Sequence, residues 1–158
     1  MSDYIMDLRR IVGHRLLTAV GASVIAADEQ GRVLLEKRSD NGCWDYMGGA
    51  VEPDEEVEAA ARREFREETG LCAGELELFG VFSGPDCHFY YPNGDEVSYV
   101  VVLYTCRDWT GELRPQPGEV EELRFFAPDE IPDDISPVSR RPLREWLAAQ
   151  RREENRED

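Results

Sequence analysis

Three glutamates, Glu64, Glu67 and Glu68, fall within the run VEAAARREFREETG, spaced so that one helix would gather them. At ~100° per residue, Val57, Ala60, Ala61 and Phe65 make one apolar stripe, with Glu64 and Glu68 inside it and Glu67 at its edge. Carboxylates one helical turn apart repel each other, and placing them on a packing face adds a desolvation cost. A cation is the natural complement. Hard divalent ions prefer carboxylate oxygens and commonly hold substrate phosphates as well. The plainer reading, a solvated acidic face, fits poorly because these acids share the apolar side instead of opposing it.

The elements that must position these acids are also marked in the sequence. Asp54 is the expected N-cap, Glu55 and Glu56 complement the helix dipole, and Gly70 suits the left-handed position that ends the helix. Gly48 and Gly49 precede this helix and let the backbone come close to a ligand.

The whole stretch obeys the pattern G-x5-E-x7-R-E-U-x-E-E-x-G-U, where U is a bulky apolar residue. The matches are Gly49, Glu55, Arg63, Glu64, Phe65, Glu67, Glu68, Gly70 and Leu71. This resembles the Nudix box of the Nudix hydrolases, and so many fixed positions make it far more specific than a lone glycine motif. The resemblance implies an α/β (α+β) Nudix fold, an α/β/α sandwich around a mixed sheet. It also implies cleavage of nucleoside diphosphates linked to another moiety, with Mg²⁺ or Mn²⁺ as cofactor. Glu64, Glu67 and Glu68 would hold the metal, a carbonyl near Gly48 or Gly49 would complete the shell, and Glu52 would assist. Arg63 would orient a glutamate of the box through an ion pair. Two neighbouring positions depart from the common family pattern: Met47 stands where proline is usual and Asp54 where glycine is common.

Composition bounds the rest. With 158 residues and 41% hydrophobic content, the chain reads as a single domain over 1–158, with 1–14 an N-terminal extension. No run approaches the ~18 apolar residues of a membrane span, so a soluble, cytoplasmic protein without a membrane partner is expected. A formal charge of −16 argues against a nucleic-acid polymer as partner and leaves a small nucleotide substrate. Of the 18 basic residues only Lys37 is lysine, and no function follows from that skew. Cys43, Cys72, Cys87 and Cys106 lack paired spacing and read as reduced thiols, while His14 and His88 read as ordinary structural histidines.

In chain order, 3–12 reads as a short helix with Ile5, Leu8 and Ile11 or Val12 as its apolar side. Strands are expected over 19–27, 32–38, 76–83 (apolar side Leu76, Leu78 and Val81, with a bulge at Gly80), 97–106 and 121–126. Residues 107–118 read as a loop, and a helix is expected from Ser139 to about Arg152, with 152–158 fraying. Arg38 ends its strand where a guanidinium could grip a phosphate, or simply form an ion pair. Tyr90 and Tyr91 sit in an expected hairpin, where they could pack across strands or stack on a base.

The general base is left open between the box glutamates, Glu67 or Glu68, and a loop glutamate, Glu119, Glu121 or Glu122. The sequence thus reads as a metal-dependent hydrolase of a pyrophosphate linkage, with ADP-ribose and other nucleotide sugars, (d)NTPs including oxidised ones, and dinucleoside polyphosphates as candidate substrates. The alternative is a non-catalytic Nudix domain that senses a nucleotide metabolite, against which the complete set of box glutamates argues. An isomerase on the same fold would need an extra Cys/His constellation that the chain lacks. Many enzymes of the family are homodimers, and dimerisation is an expectation here on that ground.

Overall fold

Leu17–Ala26 forms the centre of the main sheet because both of its faces are apolar, and every residue from Gly21 to Ala26 is buried. In the computed structural model, which describes residues 3–157, the order of elements is α1 (Asp3–Val12), β1 (Leu17–Ala26), β2 (Val33–Arg38), β3 (Trp44–Asp45), β4 (Met47–Ala50), α2 (Val57–Thr69), β5 (Leu71–Ala73), β6 (Leu76–Phe82), β7 (His88–Tyr90), β8 (Glu96–Cys106), β9 (Trp109–Gly111), β10 (Val120–Phe126) and α3 (Pro137–Glu157). The main sheet runs β4-β1-β8-β6, with β7 also paired to β8. β1 and β8 are parallel, from Leu17↔Val97 to Ala26↔Cys106, and the other pairings are antiparallel, so the sheet is mixed.

Alternation along β1 explains the two covered faces. Ala22, Val24 and Ala26 pack with Ala60, Ala61 and Phe65 of α2, whereas Ile25 packs with Leu143 and Trp146 of α3. Trp146 also donates its indole N–H to Thr105 Oγ1 at 2.8 Å, which satisfies the one polar atom of a buried ring. The result is the expected α/β/α sandwich. A second sheet, β10-β2-β3, carries Glu36 and Arg38, and a two-stranded ribbon, β5-β9, closes the end of α2. No described helix is long and apolar enough to cross a membrane.

Several expectations need correction. The N-cap of α2 is Glu56, without a side-chain cap bond, and Asp54 instead occupies a left-handed turn at φ 61°. That conformation is the one glycine adopts most easily, and aspartate is among the few other residues that tolerate it. In β6 the bulge lies where expected, with a register shift between Leu78 and Gly80. It turns Phe82 inward, so Leu78 and Val81 end 62% and 60% exposed instead of forming the apolar side. The 107–118 loop contains β9, whose pairing to β5 a three-residue strand gives little periodicity to reveal. α3 starts two residues early and stays helical through Glu157, so the described part of the tail is helix; Asp158 lies outside the described residues. In α1, Ile5 is buried but Ile11 is 82% exposed.

Gly70 ends α2 at φ 75°, where its N–H bonds to Arg66 O. A Cβ there would sit 2.8 Å from the backbone oxygen of Glu112. Gly70→Ala is therefore expected to lower stability by about 2 kcal/mol or more, from left-handed strain plus this contact. Chemical denaturation checks this, and a change under about 0.5 kcal/mol would contradict the assigned role.

Candidate active site

The apolar stripe of α2 decides where its acids go. Packing Ala60, Ala61 and Phe65 against β1 and β4 turns Glu64 and Glu68 toward the backbone of Gly48 and Gly49. Glu68 is only 6% exposed, and its Oε2 accepts the N–H of Gly48 at 2.9 Å. Glu64 lies against Gly49 so closely that a Cβ on that glycine would collide with its carboxylate. A Cβ on Gly48 would collide with Ser23 and come within 2.8 Å of Ala22 O. Both glycines are thus required by close approach.

Arg63 fastens this arrangement. Its guanidinium donates to both oxygens of Glu55 at 2.8 and 2.9 Å, to Glu64 Oε1 at 2.8 Å and to Ala50 O at 3.2 Å. Glu67 Oε2 is 3.6 Å away. The hydrogen bonds from Arg63 hold the Glu55 carboxyl below its ordinary range. Glu55 also accepts the N–H of Glu52 at 3.1 Å, so one arginine ties the loop before α2 to the helix itself.

The sequence reading missed two acids. Glu36 of β2 is 3% exposed and pairs across the strand with Asp45 of β3, itself 6% exposed. Glu36 Oε2 has no hydrogen-bond partner. The signal was present in strand alternation: Leu34, Glu36 and Arg38 share one face of β2, and Leu34 packs in the α2 layer. Burial raises the Glu36 carboxyl well above its ordinary range, and repulsion from Asp45 adds to this against the attraction of Arg38. Burial likewise raises Glu68 well above its range, with repulsion from Glu36 and Glu64 adding and the Gly48 N–H opposing. Glu64 is raised by burial, with Arg63 opposing. Asp45 is pushed up to about 6 by burial, against the charge of Arg38 and a 2.5 Å bond from Ser139 Oγ. These acids outnumber the guanidiniums beside them.

A cavity of about 380 Å³ opens in front of the cluster. Glu36, Glu64, Glu68, Gly48 and Gly49 line it together with Arg38, Glu119, Tyr91 and Tyr99. Arg38 forms the ion pair expected of it, clasping Asp40 at 2.6 and 2.9 Å and approaching Asp45 at 3.7 Å, and it lines the cavity. Tyr91 lines the cavity, its hydroxyl bonded to that of Tyr99 at 2.7 Å, whereas Tyr90 is 69% exposed and stacks on His88. Of the loop glutamates only Glu119 lines the cavity; Glu121 is exposed on β10 and Glu122 pairs with Arg124. Glu52 does not line it, and Glu67 is 46% exposed at the helix edge.

Among the described residues, no three acidic, histidine or cysteine side chains are gathered as a ready metal-ligand set. Glu64 is turned to Arg63 and Glu68 to the Gly48 amide. The donor chemistry nevertheless fits a hard divalent cation: buried, mutually repelling carboxylates, an unbonded Glu36 oxygen and a backbone approach that only glycine allows.

A model of the NUDIX domain matches residues 17–147. A MutT-like protein of Streptomyces ambofaciens is 30% identical over 122 residues, covering 77% of this chain and 72% of that protein. A protein of Methanocaldococcus jannaschii named ADP-ribose pyrophosphatase is 37% identical over 108 residues, covering 66% of this chain and 60% of its own length. Among solved structures, a MutT NUDIX hydrolase from Burkholderia pseudomallei superposes with a TM-score of 0.67 at 32% identity, covering 78% of this chain and 94% of that one. The chain belongs to the Nudix hydrolase family. It is a pyrophosphohydrolase of that family, whose members are generally dependent on a divalent metal.

The electrostatics yield a pH-dependent expectation for metal-free protein. A carboxyl whose folded pKa is raised costs nothing below its unfolded value, near 4.3, and destabilises progressively as pH climbs toward the folded value. In EDTA at pH 8, Glu36→Gln should therefore exceed the parent in stability by about 1–3 kcal/mol, with the gain vanishing below about pH 4. Urea denaturation at the two pH values measures it, and a destabilised variant at pH 8 would contradict the described repulsion.

Proposed function

We propose that this protein hydrolyses the pyrophosphate linkage of a nucleoside diphosphate-X compound with Mg²⁺ or Mn²⁺. The observation that carries the reading is the pair of helix carboxylates, half-buried Glu64 and buried Glu68, held against Gly48 and Gly49 in a nucleotide-sized cavity. Glu64, Glu67 and Glu68 would hold the cation, with a carbonyl of the glycine pair. A bound divalent ion supplies charge screening for the phosphates and lowers the pKa of a water.

The remaining roles belong to the protein's own groups. Arg63 orients Glu64 and ties it to Glu55, acting on the acids and not on the substrate. Arg38, fixed by Asp40 and Asp45 on the cavity wall, neutralises substrate phosphate. Glu119 lines the cavity, which supports it as the loop group that takes a proton from the attacking water, with Glu67 and Glu68 the helix alternatives. A net charge of −16 supports a small nucleotide over a polymer. ADP-ribose, other nucleotide sugars, (d)NTPs including oxidised forms, and dinucleoside polyphosphates are the substrate candidates, and the name of the methanogen relative favours placing ADP-ribose first.

A panel of these compounds, assayed with Mg²⁺ and with Mn²⁺ and with products identified, tests the proposal. At least one should turn over, and Glu68→Gln should reduce that rate about 100-fold or more, the scale for losing a group that stabilises transition-state charge. Tight binding of one member without turnover would favour a nucleotide sensor instead.

A further inference from the structure

The tyrosine wall of the cleft adjoins the glycine pair. Gly49 pairs with Ala22 of β1 and Tyr99 with Ala19, and a Cβ on Gly21 would meet both the Tyr99 ring at 3.5 Å and the Gly49 carbonyl at 3.7 Å. Ile5, Tyr91, Val97 and Tyr99 supply apolar surface to the cleft, beside the polar Arg9, Asn93 and Asp95. The Tyr91 and Tyr99 hydroxyls satisfy one another, which leaves the rings to offer apolar surface.

Ile5 belongs to α1, which precedes the residues 17–147 that match the family. It is 7% exposed and packs with Ala19, Ala50 and Val97, and Ala50 directly follows the glycine pair. The helix is seated firmly. Arg9 is 9% exposed and donates to Glu96 O at 2.7 Å, Arg15 O at 2.5 Å and Gly13 O at 3.1 Å. Its Nε lies 3.6 Å from Asp95, which also bonds His14 at 2.7 Å. A buried guanidinium tied to carbonyls of the strand and of the following turn fixes the orientation of α1 over the cleft. The family domain alone would leave this wall unbuilt.

We propose that α1 is a specificity element of this active site: Ile5 forms the apolar wall against which the base of the nucleotide packs, and Arg9 positions that wall. The inference rests on reading the cleft as a nucleotide site. It commits to a planar apolar group packed beside α1, next to the glycine pair. Ile5 thus touches the ligand, and Arg9, which also lines the cavity, holds the helix in place.

Binding is measured by calorimetry with the α,β-methylene analogues of ADP-ribose, ATP and GTP in Mg²⁺, so that no turnover is needed. The protein should bind at least one. Ile5→Trp should weaken that ligand about tenfold or more by filling the wall, and Ile5→Ala about threefold by removing it. Ile11→Trp, on the exposed side of the same helix, should change affinity by less than about twofold. Thermal melting reports whether each variant is folded, and Ile5→Ala carries the test if the tryptophan variant does not fold. Unchanged affinity in a folded Ile5 variant, an equal loss from Ile11→Trp, or no binding of any analogue would overturn the role of α1. Failure of the whole hydrolysis panel with the Ile5 binding effects intact would overturn the hydrolase reading and support the role of α1.

Discussion

The structure depends on a conflict between packing and charge on one helix. α2 must bury Ala60, Ala61 and Phe65 against β1 and β4, and that orientation carries Glu64 and Glu68 into the interior beside Gly48 and Gly49. Glu36 and Asp45 reach the same region from the second sheet. A protein selecting only for stability would not gather buried acids in this way, because each costs free energy unless paired. Arg63 and Arg38 offset part of the excess, and the remainder is the physical argument for a cation.

The two arginines solve different problems. Arg63, on α2, knits the loop before the helix, the helix acids and the Ala50 carbonyl into one unit, so the positions of Glu55 and Glu64 are not independent. Arg38, on β2, lines the cavity, bound to Asp40 and Asp45 and lying 5.3 Å from the centroid of the Phe89 ring. A guanidinium clamped this way presents its charge without the entropy cost of ordering a free side chain. The cleft is also lined by Ile5 and Arg9 of α1, an element that lies before the residues 17–147 that match the family.

The local rules of the sequence were enough for the helix and most strands. Helical periodicity placed Glu64 and Glu68 on the packing side and Glu67 at its edge, and their burial follows that order. Gly70 could be assigned its left-handed turn because few other residues take one cheaply. Where local rules fell short, the deciding contact was distant in sequence. The α2 N-terminus is set by the Arg63–Glu55 pair and not by an Asp54 cap. Leu78 and Val81 face outward because a bulge shifts their register on β8. Glu36 had an audible signal in its alternation with Arg38, but its burial depends on β3 and α2 folding over it. The partition among Glu119, Glu121 and Glu122 required the register shift between Val120 and Glu122, which no periodicity announces.

The central claim is that the acids of α2 beside the glycine pair form a cation site, and metal titration tests it most directly. With Mn²⁺ added to EDTA-stripped protein near pH 7.5, the parent should bind the ion, and Glu68→Gln should bind it about tenfold or more weakly while melting at an equal or higher temperature in the absence of metal. Equal Mn²⁺ affinity in the two proteins would contradict the account.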